Sequence, residues 1–215
     1  MDKSKNADKF TEYYRQKKVT GTYDAQREGT AYRKNKRRFE LKYFLELINK
    51  QPGEKVLELG CSSGFLTKDL GDVTAIDTSE GMLEIAHSKN KLAKCIPGDM
   101  FAMPFKDDSF DKVTTMRVWN HLDLRDFKRA IHEVKRVLKQ NGRFIFDMED
   151  KSAMRRFSSF FYKRFFKTTG YKIFQYSLQD IKRVIEPEGF KIEAVKILKH
   201  KVGRQIILRA VLLKK

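Results

Sequence analysis

Five consecutive small residues, Gly60-Cys61-Ser62-Ser63-Gly64, offer exposed backbone N–H groups and little side-chain bulk, so a ligand can lie directly against the chain. Asp77 follows 17 residues after Gly60. A carboxylate at that distance can accept hydrogen bonds from two ribose hydroxyls, or it can cap and neutralise the start of the next helix. Gly98-Asp99-Met100 joins an acceptor to a soft apolar side chain, the two things an adenine ring needs for its amino group and its face. His121 has the ordinary pKa of a base that works near neutrality, and it is equally placed to help start a helix at Asp123. Arg117, four residues earlier, is either a contact to a bound group or a surface arginine.

The elements that would position these residues alternate between β-rich runs and helical periodicity, the pattern of an α/β sheet with crossover helices. Pro52-Gly53 makes a turn, and Val56 to Leu59 reads as a buried strand that runs into the small-residue loop. A helix with Phe65, Leu66 and Leu70 on its inner face is expected next. Val73 to Ile76 forms a second strand ending at Asp77. Thr78 or Ser79 then caps a helix presenting Met82, Leu83, Ile85 and Ala86. Further strands are expected at Ala93 to Ile96, Phe110 to Met116 and Arg143 to Met148. Between the last two, Asp123 caps a helix whose buried face is Leu124, Phe127, Ile131, Val134 and Leu138, and Asn141-Gly142 stops it. Leu178 to Ile185 is one more helix, ended at Pro187-Glu188-Gly189. The last two strands, Phe190 to Leu198 and Gln205 to Leu213, are joined too closely for a parallel crossover and must pair antiparallel.

The chain has 215 residues and a net charge of +18. That length suits one sizeable core. No run approaches the roughly 18 apolar residues of a membrane span, and a cytoplasmic location is expected. Cys61 and Cys95 are the only cysteines, too few for a disulfide framework and wrongly spaced for zinc, so no metal is expected. Residues 1–50 carry an excess of 7 positive charges and 151–215 an excess of 13, while 51–150 are close to neutral. An anionic partner would therefore meet the flanks.

Two other chemistries share parts of this pattern. Gly60-Cys61-Ser62-Ser63-Gly64 also spells Gly-x-Ser-x-Gly, the nucleophile elbow of α/β-hydrolases, but it follows the first strand and no acid and histidine stand in triad order after it. A nicotinamide dinucleotide would also use an acidic residue after a glycine loop, yet its Gly-x-Gly-x-x-Gly fingerprint is absent.

Taken in order, Val56-Leu57-Glu58-Leu59-Gly60-Cys61, Ala75-Ile76-Asp77-Thr78-Ser79-Glu80-Gly81-Met82-Leu83, Gly98-Asp99-Met100 and Arg136-Val137-Leu138-Lys139-Gln140-Asn141-Gly142-Arg143 resemble successive motifs of class I S-adenosylmethionine (SAM)-dependent methyltransferases. The similarity is to the broad subgroup that modifies small molecules, quinones and lipids. It is close over about residues 50 to 150 and in outline over 178 to 213. The resemblance implies a Rossmann-like α/β sandwich with a seven-stranded, mostly parallel sheet closed by a C-terminal antiparallel hairpin. It implies that Glu58, Gly60, Cys61 and Gly64 flank the methionine part of SAM. Asp77 would hold the ribose, Thr78 and Met82 would line its surroundings, and Asp99 with Met100 would take the adenine. Arg117 would contact cofactor or acceptor, and His121 is the candidate general base. The family usually has glycine where this chain has Ser62, which makes the loop less free in backbone conformation.

Residues 1–50 are expected to form a basic helical cap and 51–215 the methyltransferase domain, with a basic, aromatic insertion at about 151–176. Tyr23, Tyr32 and Arg33 of the cap would close over the cofactor. In the insertion, Phe157, Phe160, Phe161 and Phe165 recur at helical spacing among Arg155, Arg156, Lys163, Arg164 and Lys167. Such a helix suits a lid, an anionic membrane surface or an RNA backbone. A small-molecule or lipid-like acceptor, an RNA acceptor and a non-catalytic SAM-binding partner subunit thus remain open, as does the oligomeric state.

Overall fold

A computed structural model describes residues 5–151, 172–200 and 204–213. The expected helix of residues 157–165 lies outside the described residues. Three N-terminal helices, α1 (Lys5–Arg15), α2 (Lys17–Glu28) and α3 (Ala31–Ile48), precede the sheet. Thr30 caps α3 by accepting from the Arg33 N–H at 3.2 Å, and Asn49 ends it in the left-handed region at φ 41°.

The sheet consists of β1 (Val56–Leu59), β2 (Thr74–Asp77), β3 (Lys94–Pro97), β4 (Phe110–Thr115), β5 (Leu138–Glu149), β6 (Phe190–Lys199) and β7 (Arg204–Leu212) in the order β3-β2-β1-β4-β5-β7-β6. The first five strands of that order run parallel, and β7 is antiparallel to both β5 and β6. The expected closing hairpin is therefore present. All four residues of β1 are buried, as a central strand covered on both faces requires. On one face α5 (Leu124–Val137) and α6 (Leu178–Ile185) bury Phe127, Ile131, Val134 and Ile181 against Phe144 and Phe146. On the other, α3 contributes Phe44, Leu47 and Ile48, while α4 (Glu80–Lys89) packs Leu83 and Ala86 on Ala75. Asp123 caps α5 through the Asp126 N–H at 2.9 Å, and Ser177 with Asp180 makes a reciprocal capping box at α6.

Two local expectations are corrected. No α-helix follows the small-residue loop; residues 67–69 form a single 3₁₀ turn. Only six residues separate Gly64 and Gly71, which take φ of 77° and 65°, too few to sustain a helix. The carbonyls of Thr67 and Gly71 accept instead from the Asn90 side chain at 2.8 Å. Leu66 and Leu70 are still buried. The second correction concerns the end of α5, which stops at Val137 rather than at Asn141-Gly142. The carbonyls of Arg136 and Val137 accept from the N–H groups of Asp108 and Ser109, at 3.1 and 2.9 Å. Leu138 therefore begins β5, and Asn141 takes φ 63° beside the register shift between β4 and β5.

Candidate functional site

The strand order reverses its direction of growth between β1 and β4, and ligands of open α/β sheets bind outside the carboxyl ends of strands at such a point. Gly60 leaves β1 there at φ 63°, where a Cβ would stand 2.6 Å from Val118 Cγ2; glycine lets the two strand ends approach. Ser62 takes φ 50°, a conformation that costs a residue with a side chain roughly 1–2 kcal/mol. Its N–H donates to Asp77 Oδ2 at 2.9 Å, and its hydroxyl faces Met82 Sδ at 3.6 Å. The serine noted as a departure in the sequence thus occupies a position with a glycine-like backbone.

Asp77 ends β2 with its other oxygen accepting from the Ser79 N–H at 2.9 Å. Asp77 thus orders the start of α4, one of the two roles foreseen for it, and also lines the crevice. Burial raises its pKa, and the backbone donors, first Ser79 and then Ser62, work against that shift. The Thr78 N–H adds a third backbone donor to this carboxylate, which has about four acceptor sites.

The N-terminal helices close over this edge. The Arg15 Nε donates to the Thr78 carbonyl at 3.0 Å, the Ser63 hydroxyl to Asp24 Oδ1 at 2.6 Å, and Lys89 Nζ ion-pairs with Asp24 at 2.5 Å. Asn6 Nδ2 donates to the His121 carbonyl at 2.8 Å. Phe10 stacks on the His121 imidazole with centroids 4.1 Å apart, and Tyr14 meets the same ring edge-on. Burial, with Arg27 nearby, drives the His121 pKa down to about 3, so the imidazole is neutral at physiological pH.

The enclosed space is a cavity of about 810 Å³ including its mouth. Of the residues singled out in the sequence, Gly60, Asp77, Thr78, Met82, Asp99, Met100, Arg117 and His121 line it, together with Tyr23. Glu58, Cys61 and Gly64 do not. Glu58 is buried behind the loop, where it accepts from the Thr67 hydroxyl at 2.7 Å, and burial pushes its pKa up to about 8. Cys61 packs with Ala75, Leu83 and Ala86, and burial raises its thiol well above the usual range. Gly64 is the point where α4 comes close, since a Cβ there would stand 2.7 Å from Ala86 Cα. Tyr32 and Arg33 line a neighbouring cavity instead.

Sequence reasoning missed the α1 contribution of Ala7, Phe10 and Tyr14, although Phe10 and Tyr14 share a helix face at a spacing of four. It also missed Glu40. This carboxylate is fully buried on α3 and ion-paired with Arg117, with His200 Nε2 at 3.3 Å and Lys36 at 3.6 Å. Burial opposes its charge, yet Arg117, His200 and Lys36 hold it down at about 2. Arg117 itself takes φ 62° and donates its N–H to Asp147 Oδ1 at 2.6 Å, so both its backbone and its side chain are fixed. Among the described residues no cluster of His, Cys, Asp and Glu suits a metal ion, and no helix is long and apolar enough to cross a membrane.

Residues 57–146 match the family described as a methyltransferase domain. The demethylmenaquinone methyltransferase of Thermotoga maritima is 33% identical over 133 residues, which is 59% of this chain and 57% of that protein. The malonyl-[acyl-carrier protein] O-methyltransferase of Erwinia pyrifoliae is 33% identical over 123 residues, 53% of this chain and 45% of that protein. The chain thus spans about half the length of these curated relatives. Magnesium protoporphyrin IX methyltransferase of Synechocystis PCC 6803, solved with bound S-adenosylhomocysteine (SAH), aligns with a TM-score of 0.68 at 19% identity, covering 97% of this chain and 94% of that one. A SAM-dependent methyltransferase structure from Methanosarcina mazei aligns at 0.66 and 19% identity, covering 77% and 95%. At these identities the structural likeness is one of fold.

Proposed function

We propose that this chain, whose residues 57–146 match a methyltransferase domain, transfers the methyl group of SAM to a small-molecule or lipid-like acceptor. The observation that carries the proposal is the convergence of Gly60, Asp77, Asp99 and Met100 on one cavity at the point where the strand order reverses.

The residues fit that cofactor. Asp77 lines the cavity as a carboxylate acceptor for the ribose, and Ile76, Met82, Met100 and Phe101 supply apolar surface for a flat base, with Asp99 also in the lining as an acceptor. Bound there, SAM would supply an electrophilic methyl on a sulfonium, whose C–S electron pair would stay on sulfur as the acceptor's lone pair bonded to the carbon. What the protein adds is alignment and exclusion of water. Phe10 and Tyr14 of α1 roof the cavity, and the ties of Arg15 to Thr78 and Asp24 to Ser63 hold the roof to the sheet. His121, neutral and packed under Phe10, shapes the wall; with its low pKa it is a weak base.

Among the relatives are methyltransferases named for demethylmenaquinone and for malonyl-[acyl-carrier protein], which supports the small-molecule or lipid-like class. The test is to incubate the purified chain with methyl-labelled SAM and a cell extract. Label in the solvent-extractable, low-mass fraction is expected. Label in RNA would move the acceptor to the nucleic-acid class that the basic flanks also suit, and no transfer to any fraction would overturn the assignment.

A further inference from the structure

A second cavity, of about 1180 Å³ including its mouth, lies between α1, α2 and α3 and adjoins the first. Tyr14, Tyr23, Arg27 and Arg117 line both, so the two spaces share a wall. The second is lined by five cations, Arg27, Arg33, Lys36, Arg37 and Arg117, and by four tyrosines, with no acidic residue among its lining. Two carboxylates stand behind it. Glu40 takes Arg117 and lies 3.6 Å from Lys36, and Glu28 reaches Arg37 only at 4.0 Å. The lining is left with a surplus of positive charge.

Arg37 shows that surplus most directly. It is only 7% exposed, yet its Nε and Nη1 are buried without a hydrogen-bond partner among the described residues. Its guanidinium is fixed against the Phe65 ring, 3.7 Å from the centroid, and so is held in place rather than swung to solvent. Burial lowers its pKa, and Arg117 and Arg27 add to that effect against Tyr23 and Glu28. A buried guanidinium with open donors among other cations costs free energy unless an anion meets it. Arginine forks match the two oxygens of a carboxylate or phosphate, while tyrosine faces accept a flat or apolar body.

We propose that the second cavity is the acceptor site and that it takes a small organic anion, whose carboxylate or phosphate is held by Arg33, Lys36 and Arg37 and whose body passes Tyr14 and Tyr23 toward the first cavity. The assignment of this anion as the methyl acceptor rests on the methyltransferase function proposed above; the anion site does not. Arg33 and Lys36 line the second cavity and not the first, so replacing them separates the two.

Phenyl phosphate, benzoate and the neutral benzamide serve as probes in calorimetric titrations of the full chain, with and without saturating SAH. The expected result is one anion bound per chain, weakened at least about tenfold in Arg33→Ala/Lys36→Ala while SAH affinity stays within about twofold. Preference for phenyl phosphate or for benzoate identifies the acidic group as phosphate or carboxylate, and either supports the site. Equal binding of benzamide, or anion binding indifferent to the double substitution, would overturn it. So would a single-stranded oligoribonucleotide that binds through Arg33 and Lys36 when phenyl phosphate does not. If SAH fails to bind and the anion binds as expected, the cofactor assignment falls and the anion site stands.

Discussion

The guanidinium of Arg117 ion-pairs with the fully buried carboxylate of Glu40, tying the turn after β4 to α3 of the N-terminal cap. Both residues border the proposed chemistry, since Arg117 lines both cavities. Removing one partner leaves the other charge buried and unpaired. Glu40→Gln is therefore expected to cost roughly 3 kcal/mol in chemical denaturation. A loss below about 1 kcal/mol would mean that the pair behaves as an exposed one.

Glu58 predicts a pH dependence of stability. Its folded pKa is raised from 4.5 to about 8, so the folded chain keeps a proton that the unfolded chain releases in that interval. The stability this group contributes is full below pH 4.5 and is lost as pH rises toward 8. Glu58→Gln, which is neutral throughout, should gain stability over wild type between those limits in thermal melts. Parallel curves for the two proteins would show that Glu58 is ionised in the fold.

His121 acts in the opposite sense. Its folded pKa falls from 6.5 to about 3, so the unfolded chain binds the proton first, and the stability contribution present above pH 6.5 is lost as pH falls toward 3. His121→Gln should be less sensitive to acid in denaturation at pH 4 to 6. The C2 proton of His121 in NMR should show no titration near 6.5, and a normal titration there would contradict the buried, neutral ring.

Gly64 and Gly71 make a matched pair. Both have positive φ, but a Cβ at Gly64 would stand 2.7 Å from Ala86 Cα, whereas one at Gly71 would meet nothing within 4 Å. Gly71→Ala should cost about 1 kcal/mol from backbone conformation alone, and Gly64→Ala about 3 kcal/mol or more, because α4 must also move. Equal losses in denaturation would show that α4 can shift freely.

The strand pattern was readable because buried parallel strands are rich in apolar residues: Val56, Leu57 and Leu59 about Glu58, and Phe144 to Phe146, mark two of them, and the short link before Gln205 forces the closing hairpin. Gly60, Asp77, Asp99 and Arg117, which line the cavity, were readable for the same reason, each lying at a strand end or within two positions past it. Periodicity gave way where tertiary partners intervened. Phe65, Leu66 and Leu70 have helical spacing, but Asn90, distant in sequence, takes the carbonyls that a helix would use. The ending of α5 likewise depends on Asp108 and Ser109. The roof of the cavity and the Glu40–Arg117 pair were not legible, because they join residues 77 to 115 positions apart through the docking of the cap.

The central claim, that the edge cavity binds SAM through Asp77, is tested most directly by titrating SAM and SAH into the wild type and Asp77→Ala, with thermal melts to establish that both are folded. One ligand per chain is predicted, with affinity at least about tenfold weaker in Asp77→Ala because two ribose hydroxyls lose a charged acceptor. Folded wild-type protein that binds neither ligand at about 1 mM, a threshold weaker than about −4 kcal/mol, would contradict the account.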